Sequence, residues 1–152
     1  MLEKEKYYRL NLFKKIFFFL IVFTFFGQKS FSSPKEKIIH IMNWSLNMSM
    51  EMGDTMLIIT ELWAQASRGH YHGTTSSQLV DFYEEYKIEI EHILEEGIDA
   101  GEFRDMNKEG VSTMLMAFLD GLGLQIIIMK NPKVFHKIKS EAIESFMRGI
   151  LK

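Results

Sequence analysis

The chain has no cysteine. That excludes disulfides, thiolate catalysis and zinc sites built on cysteine. It has two prolines and no long Gly/Ser-rich stretch, so it contains little linker. A nucleophile paired with a base, a Gly-rich phosphate loop and a Cys/His cluster are all missing. The expectation is therefore a protein that is not an enzyme and needs no cofactor or metal. Strand alternation and internal repeats are missing too. What is there is 152 residues, 47% hydrophobic and 25% charged, the composition of one globular domain with a real core. Eleven methionines are many for this length. Methionine is soft and fills irregular gaps, which suits either an adaptable ligand site or ordinary core packing.

Positive charge is scarce in the body of the chain. Residues 1–33 carry six Lys/Arg against two Glu, whereas residues 34–152 carry twelve Lys/Arg against eighteen Asp/Glu. Proteins that track phosphates need clustered cations to displace counterions. The acidic body is a poor nucleic-acid binder by itself.

Residues 1–32 differ from the rest. Lys4, Lys6, Arg9, Lys14 and Lys15 precede an apolar run from Ile16 to Phe26, and Ser30 and Ser32 follow as a small-x-small pair. This is the layout of a secretory signal peptide. The run is short of the roughly 20 residues a membrane span needs. Two readings stand: an export signal or membrane anchor acting through residues 16–26, or a non-native start.

Beyond Ser33 the spacing is helical throughout. Ser33-Pro34-Lys35-Glu36 reads as a capping box with proline at the first helical position, opening a helix to about Met50. Asp54 caps a second helix carrying Met56, Leu57, Ile59, Leu62, Trp63 and Ala66, ending near Arg68-Gly69. After the loop Gly69–Gly73, Thr75 and Gln78 suggest another capping box. A long helix from about Ser76 to Ala100 follows, with Leu79, Phe82, Tyr83, Tyr86, Ile90, Ile93, Leu94 and Ile98 at three- and four-residue steps. Gly101 ends it. Asn107 caps a helix over about Lys108 to Lys130, where only Ser112, Thr113, Asp120 and Gln125 interrupt the apolar run after Val111. A helix apolar all round is buried on every side or lies in a membrane. Asp120 and Gln125 would be costly in lipid, so this is read as a core helix that also contacts a second subunit. Asn131-Pro132 starts the last helix, with the stripe Phe135, Ile138, Ala142, Phe146 and Ile150.

Four pieces together resemble the C-terminal domain of TetR/AcrR-family transcriptional regulators: LWAQASRG at 62–69, ILEEGIDAGEFR at 93–104, FLDGLGLQ at 118–125, and the closing amphipathic helix. The resemblance runs from about Ser33 to Lys152. It implies an all-α, antiparallel bundle of about five helices, the last two, 108–130 and 132–151, forming a four-helix bundle with those of a second subunit. It also implies a homodimer, a cytoplasmic location, and a small apolar or amphipathic effector bound among the helices. In this family DNA is contacted through an N-terminal helix-turn-helix domain, and residues 1–32 show no such pattern. The domain reading is therefore a basic and apolar segment at 1–32 and a sensing and dimerising domain at 33–152, unable to bind DNA alone. The alternative is an exported or membrane-anchored helical binding protein that uses residues 1–32 for targeting.

Candidate site residues follow from the same helices. Trp63, Tyr83, Tyr86, Met114 and Phe118, with Gln125, either line an effector pocket or are plain core. Asp120 is read first as making an inter-helix hydrogen bond, with a contact across the dimer or to an effector as the alternatives. Ala117, Gly121 and Gly123 are small enough either to let a partner backbone approach, the favoured reading, or to pack closely inside one subunit, and Phe135, Phe146 and Ile150 are expected to join them at the dimer seam. His70 and His72 lack a third ligand and read as a solvated pair. The pairs Glu84-Glu85 and Glu95-Glu96 read as solvated helix faces. Arg104 is expected to fix the corner after the long helix, and Phe103 to plug the end of the domain.

Overall fold

Ser33 caps the first of the described helices, as its spacing predicts. Its Oγ accepts the N–H of Glu36 at 3.3 Å and its carbonyl accepts that of Lys37 at 3.2 Å, which satisfies donors that have no partner inside the helix. Pro34 opens the helix because its missing N–H is not needed there. In the computed structural model, the described residues are 31–51, 74–129 and 131–152, with the isolated positions 57, 60, 61, 63, 64 and 68 between them. They include four named helices: α1 (Pro34–Glu51), α2 (Thr74–Asp99), α3 (Lys108–Met129) and α4 (Pro132–Ile150). Leu57, Thr60, Glu61, Trp63 and Ala64 are also helical. They fall within the expected second helix, whose bounds lie outside the described residues, as do His70 and His72. Among the described residues there is no strand, and the fold is all-α. Residues 33–152 make one compact unit.

α1 buries Ile38, Ile41, Met42 and Leu46, the apolar stripe of its three- and four-residue spacing. α3 packs on α1 and α2, and α4 reaches α1. The inner face of α2 supplies Ile90, Ile93 and Leu94, and α3 supplies Leu115, Met116, Leu119 and Ile126. Each such side chain contributes roughly 1.5–3 kcal/mol when buried. Polar atoms at the α2–α3 contact are partnered: Ser112, fully buried, donates to Glu91 Oε1 at 3.1 Å and to the Glu109 carbonyl at 3.0 Å. Lys108 pairs with Glu95 at 2.6 Å.

The corner between α2 and α3 ties three parts of the domain together. Gly101, at φ 74°, adopts the left-handed conformation that ends helices. The N–H of Gly101 reaches the Ile98 carbonyl and that of Glu102 reaches the Gly97 carbonyl, at 3.0 and 2.9 Å, the two bonds of a Schellman ending. Phe103 then folds over Gly97, where a Cβ would sit 2.0 Å from the ring. Phe103 is 2% exposed and forms an antiparallel bridge with Leu151. Arg104 donates from Nη2 to the carbonyls of Arg148 and Leu151 at 3.1 and 3.3 Å. Glu102 accepts the N–H of Lys35 at 3.1 Å, and its carbonyl accepts that of Lys152. The start of α1, the end of α2 and the end of α4 therefore meet at LEEGIDAGEFR.

α3 departs from the all-round burial that its composition suggested. Met114, Ile128 and Met129 are 52%, 69% and 58% exposed. Among the described residues, it is also the one helix long and apolar enough to cross a membrane. The chain covers one side of it and leaves the other open.

Candidate ligand pocket and assembly face

Tyr83, Tyr86 and Ile90 recur at i, i+3 and i+7 on α2, so all three face inward. The Tyr83 hydroxyl donates to Asp120 Oδ2 on α3 at 2.9 Å. Trp63 lies beside it, with ring centroids 6.4 Å apart. Phe82 meets Tyr83 edge-on at 5.8 Å and stacks with Tyr86 at 6.1 Å. Asp120 is thus a carboxylate set against an aromatic cluster. Burial raises its pKa above the ordinary carboxylate value, and the hydrogen bond from Tyr83 opposes that rise. Burial also raises the Tyr83 phenol, helped by the charge and hydrogen bond of Asp120. Tyr86 is pushed up to about 12, chiefly by burial, against a hydrogen bond with Ser45 of α1 and with a smaller push from the Asp120 charge. The three helices α1, α2 and α3 converge on this group.

The structure brings Trp63, Tyr83 and Tyr86 together and places the other three expected pocket residues elsewhere. Phe118 precedes Asp120 by two positions, which on a helix is the opposite side. Its ring lies 6.2 Å from that of Phe146 on α4. Met114 and Gln125 are exposed. Phe82 and Ser45 complete the cluster. Phe82 stood in the α2 periodicity without being singled out. Ser45 gave no signal beyond being a serine among apolar neighbours.

The open side of α3 forms a second feature. Met114, Ala117, Gly121, Gln125 and Ile128 follow one another at three- and four-residue steps, and all are exposed. A Cβ built on Gly121 meets nothing within 4 Å, and the same holds for Gly149 on α4. α4 adds Val134 and Ile138, 42% and 38% exposed. Between the two helices runs a shallow groove lined by Gln125, Ile126, Met129, Val134 and Ile138. Four residues expected at a dimer seam lie instead in the chain's own interior. Gly123 is buried, and Phe135, Phe146 and Ile150 are 4%, 8% and 2% exposed. The stripe of α4 was read correctly as apolar, but its core half faces the chain's other helices.

The carboxylate pairs do not act as pairs. Glu84 binds Lys87 at 2.8 Å, Glu95 binds Lys108, and Glu96 binds Lys37. Among the described residues no three His, Asp or Glu side chains converge on a possible metal position.

Residues 27–152 match the family described as QacR-like protein, C-terminal region, one of the TetR C-terminal families. A solved structure similar to the chain is a TetR transcription regulator from Haloarcula marismortui ATCC 43049, with 17% identity and a TM-score of 0.70. The likeness covers 84% of this chain and 69% of that one, and at this identity it speaks to the fold. No curated protein matches the sequence. With the family match spanning most of the sequence, this chain belongs to the TetR family of transcription regulators and carries its QacR-like C-terminal region.

Proposed function

We propose that residues 33–152 are the effector-binding and homodimerising domain of a TetR-like regulator. The observation that carries the sensing role is the cluster around Asp120. A charged group is costly to bury, and the aromatic rings beside it add apolar surface. The effector is a small amphipathic molecule. Its apolar body lies against Trp63, Tyr83 and Tyr86, and its polar end offers a donor or positive charge to Asp120. The Tyr83 hydroxyl already donates to that carboxylate at 2.9 Å, so the effector's polar end joins or replaces it.

The occupant of the open face of α3 and α4 is a second copy of this chain. Its uncharged stripe, small at Ala117 and Gly121 and flanked by Val134 and Ile138, suits the self-complementary contact of a two-fold dimer. DNA contact belongs to the family's helix-turn-helix domain, since the acidic body at 34–152 lacks a basic stripe.

The test is a screen of small amphipathic molecules read by quenching of Trp63 fluorescence, with Trp44→Phe removing the other tryptophan. A true effector loses about tenfold or more in affinity in Asp120→Asn, the scale of a hydrogen bond to a charged group. Ligands whose affinity ignores both Asp120→Asn and Tyr83→Phe would place sensing elsewhere.

A further inference from the structure

We infer that the turn between α3 and α4 is a docking tip for an anionic lipid surface. This goes beyond the sensing and pairing readings, which rest on the middle of α3.

α3 ends in exposed aliphatic surface. Ile128 and Met129, in its last turn, are 69% and 58% exposed. The chain then becomes basic. Between Asp120 and Glu141 the sequence carries Lys130, Lys133, Lys137 and Lys139 and no Asp or Glu. This reverses the balance of a body with twelve Lys/Arg against eighteen Asp/Glu. Lys139 is engaged, donating to Asn47 Oδ1 at 2.8 Å. Lys133 and Lys137 are exposed and, four residues apart, share one side of α4. Other cations of the bundle are answered by glutamates: Lys37 by Glu96, Lys87 by Glu84, Lys108 by Glu95 and Arg148 by Glu144. Among the described residues no carboxylate pairs with Lys133 or Lys137.

Exposed aliphatics beside unpaired lysines are the two halves of an interfacial membrane contact. The aliphatics leave water for the acyl boundary, and the lysines stay among the headgroups. Each lysine there contributes about fivefold in affinity for an anionic leaflet. A nucleic acid would match the lysines and leave the aliphatics in water. An apolar protein groove would do the reverse. The sequence carries the same chemistry a second time, where Lys14 and Lys15 directly precede the apolar run from Ile16 to Phe26. Stable attachment to a bilayer takes two signals, and that run supplies the second.

The test mixes the full chain with vesicles of neutral phosphatidylcholine, or with vesicles that also contain phosphatidylglycerol, and measures bound protein by flotation. Binding is expected on the anionic vesicles and should weaken as salt rises. Lys133→Glu with Lys137→Glu should lower the affinity by about twentyfold or more, from roughly fivefold per lysine. Ile128→Ser with Met129→Ser should lower it by about tenfold or more through lost apolar burial. All four side chains are exposed, so the helical circular dichroism spectrum should not change. Lys87→Glu with Lys108→Glu makes the same charge change elsewhere. Lys108 lies about 30 Å along α3 from Ile128, well beyond a Debye length of roughly 8–10 Å, so this pair should leave the affinity nearly unchanged. A parent protein that floats with neither vesicle, or equally with both, overturns the proposal. Binding to anionic vesicles that persists in both tip pairs overturns the tip and moves the attachment to residues 14–26. Binding that falls in the lysine pair alone, and is matched by soluble polyglutamate, overturns the lipid in favour of an acidic polymer.

Discussion

Asp120 places an ionisable group in the middle of the most apolar helix of the chain. Its pKa in the folded state is raised by burial, against the hydrogen bond from Tyr83. The folded chain thus holds a proton there more readily than the unfolded one. The stability this group contributes rises as pH falls through the raised folded value, and the gain is complete below about 3.9, the unfolded value. Asparagine has no such proton to take up. The stability difference between Asp120→Asn and the parent should therefore move against the variant as pH falls, which urea unfolding between about pH 4 and pH 7 can follow. A difference that stays flat with pH would mean that Asp120 is effectively solvated. At this scale the sequence was legible where a residue broke a pattern. Asp120 stood out among aliphatic neighbours, and its inter-helix hydrogen bond was expected. Phe118 and Met114 were harder to assign. Spacing tells which residues share one side of a helix, but not which neighbour that side meets.

The elements were legible because their ends are written locally. Ser33, Asn107 and Asn131 cap helices through bonds to residues three positions on, and Gly101 supplies the left-handed stop. The start of α2 was placed two residues late, within the ordinary scatter of helix ends. Asn131 accepts the N–H of Val134 at 3.3 Å while Pro132 begins α4. Asn131→Ala should cost about 1 kcal/mol in chemical unfolding. The loss should appear first as faster hydrogen exchange in the opening turn of α4. The two faces of α3 could not be separated from sequence because both are apolar. Only the packing of α1 and α2 against one of them makes the other the open side.

For the whole molecule, the seam proposed on α3 and α4 has a thermodynamic signature. Anything that binds the folded chain and not the unfolded one raises its apparent stability with concentration. The midpoint of thermal unfolding should therefore rise with protein concentration in the parent and stay constant in Ile138→Asp. A parent midpoint independent of concentration would argue for a monomer. The residues expected at that seam divide between two places in the structure. Ala117 and Gly121 lie on the open face, while Phe135, Phe146 and Ile150 fill the chain's own core, since the large apolar residues of an amphipathic helix go first to the nearest neighbours. The corner at Gly97–Arg104 has a consequence for biosynthesis. Its hydrogen bonds reach Lys35 at one extreme and Arg148 to Lys152 at the other. A chain emerging from the ribosome N-terminus first can form the α2–α3 hairpin early, but cannot close this corner until the last turn of α4 has been made. During that interval the apolar flank of α3 is uncovered by α4 as well as by any partner. The period of greatest aggregation risk therefore comes late in synthesis, and a chaperone that shields α3 at that stage would raise the yield of folded protein.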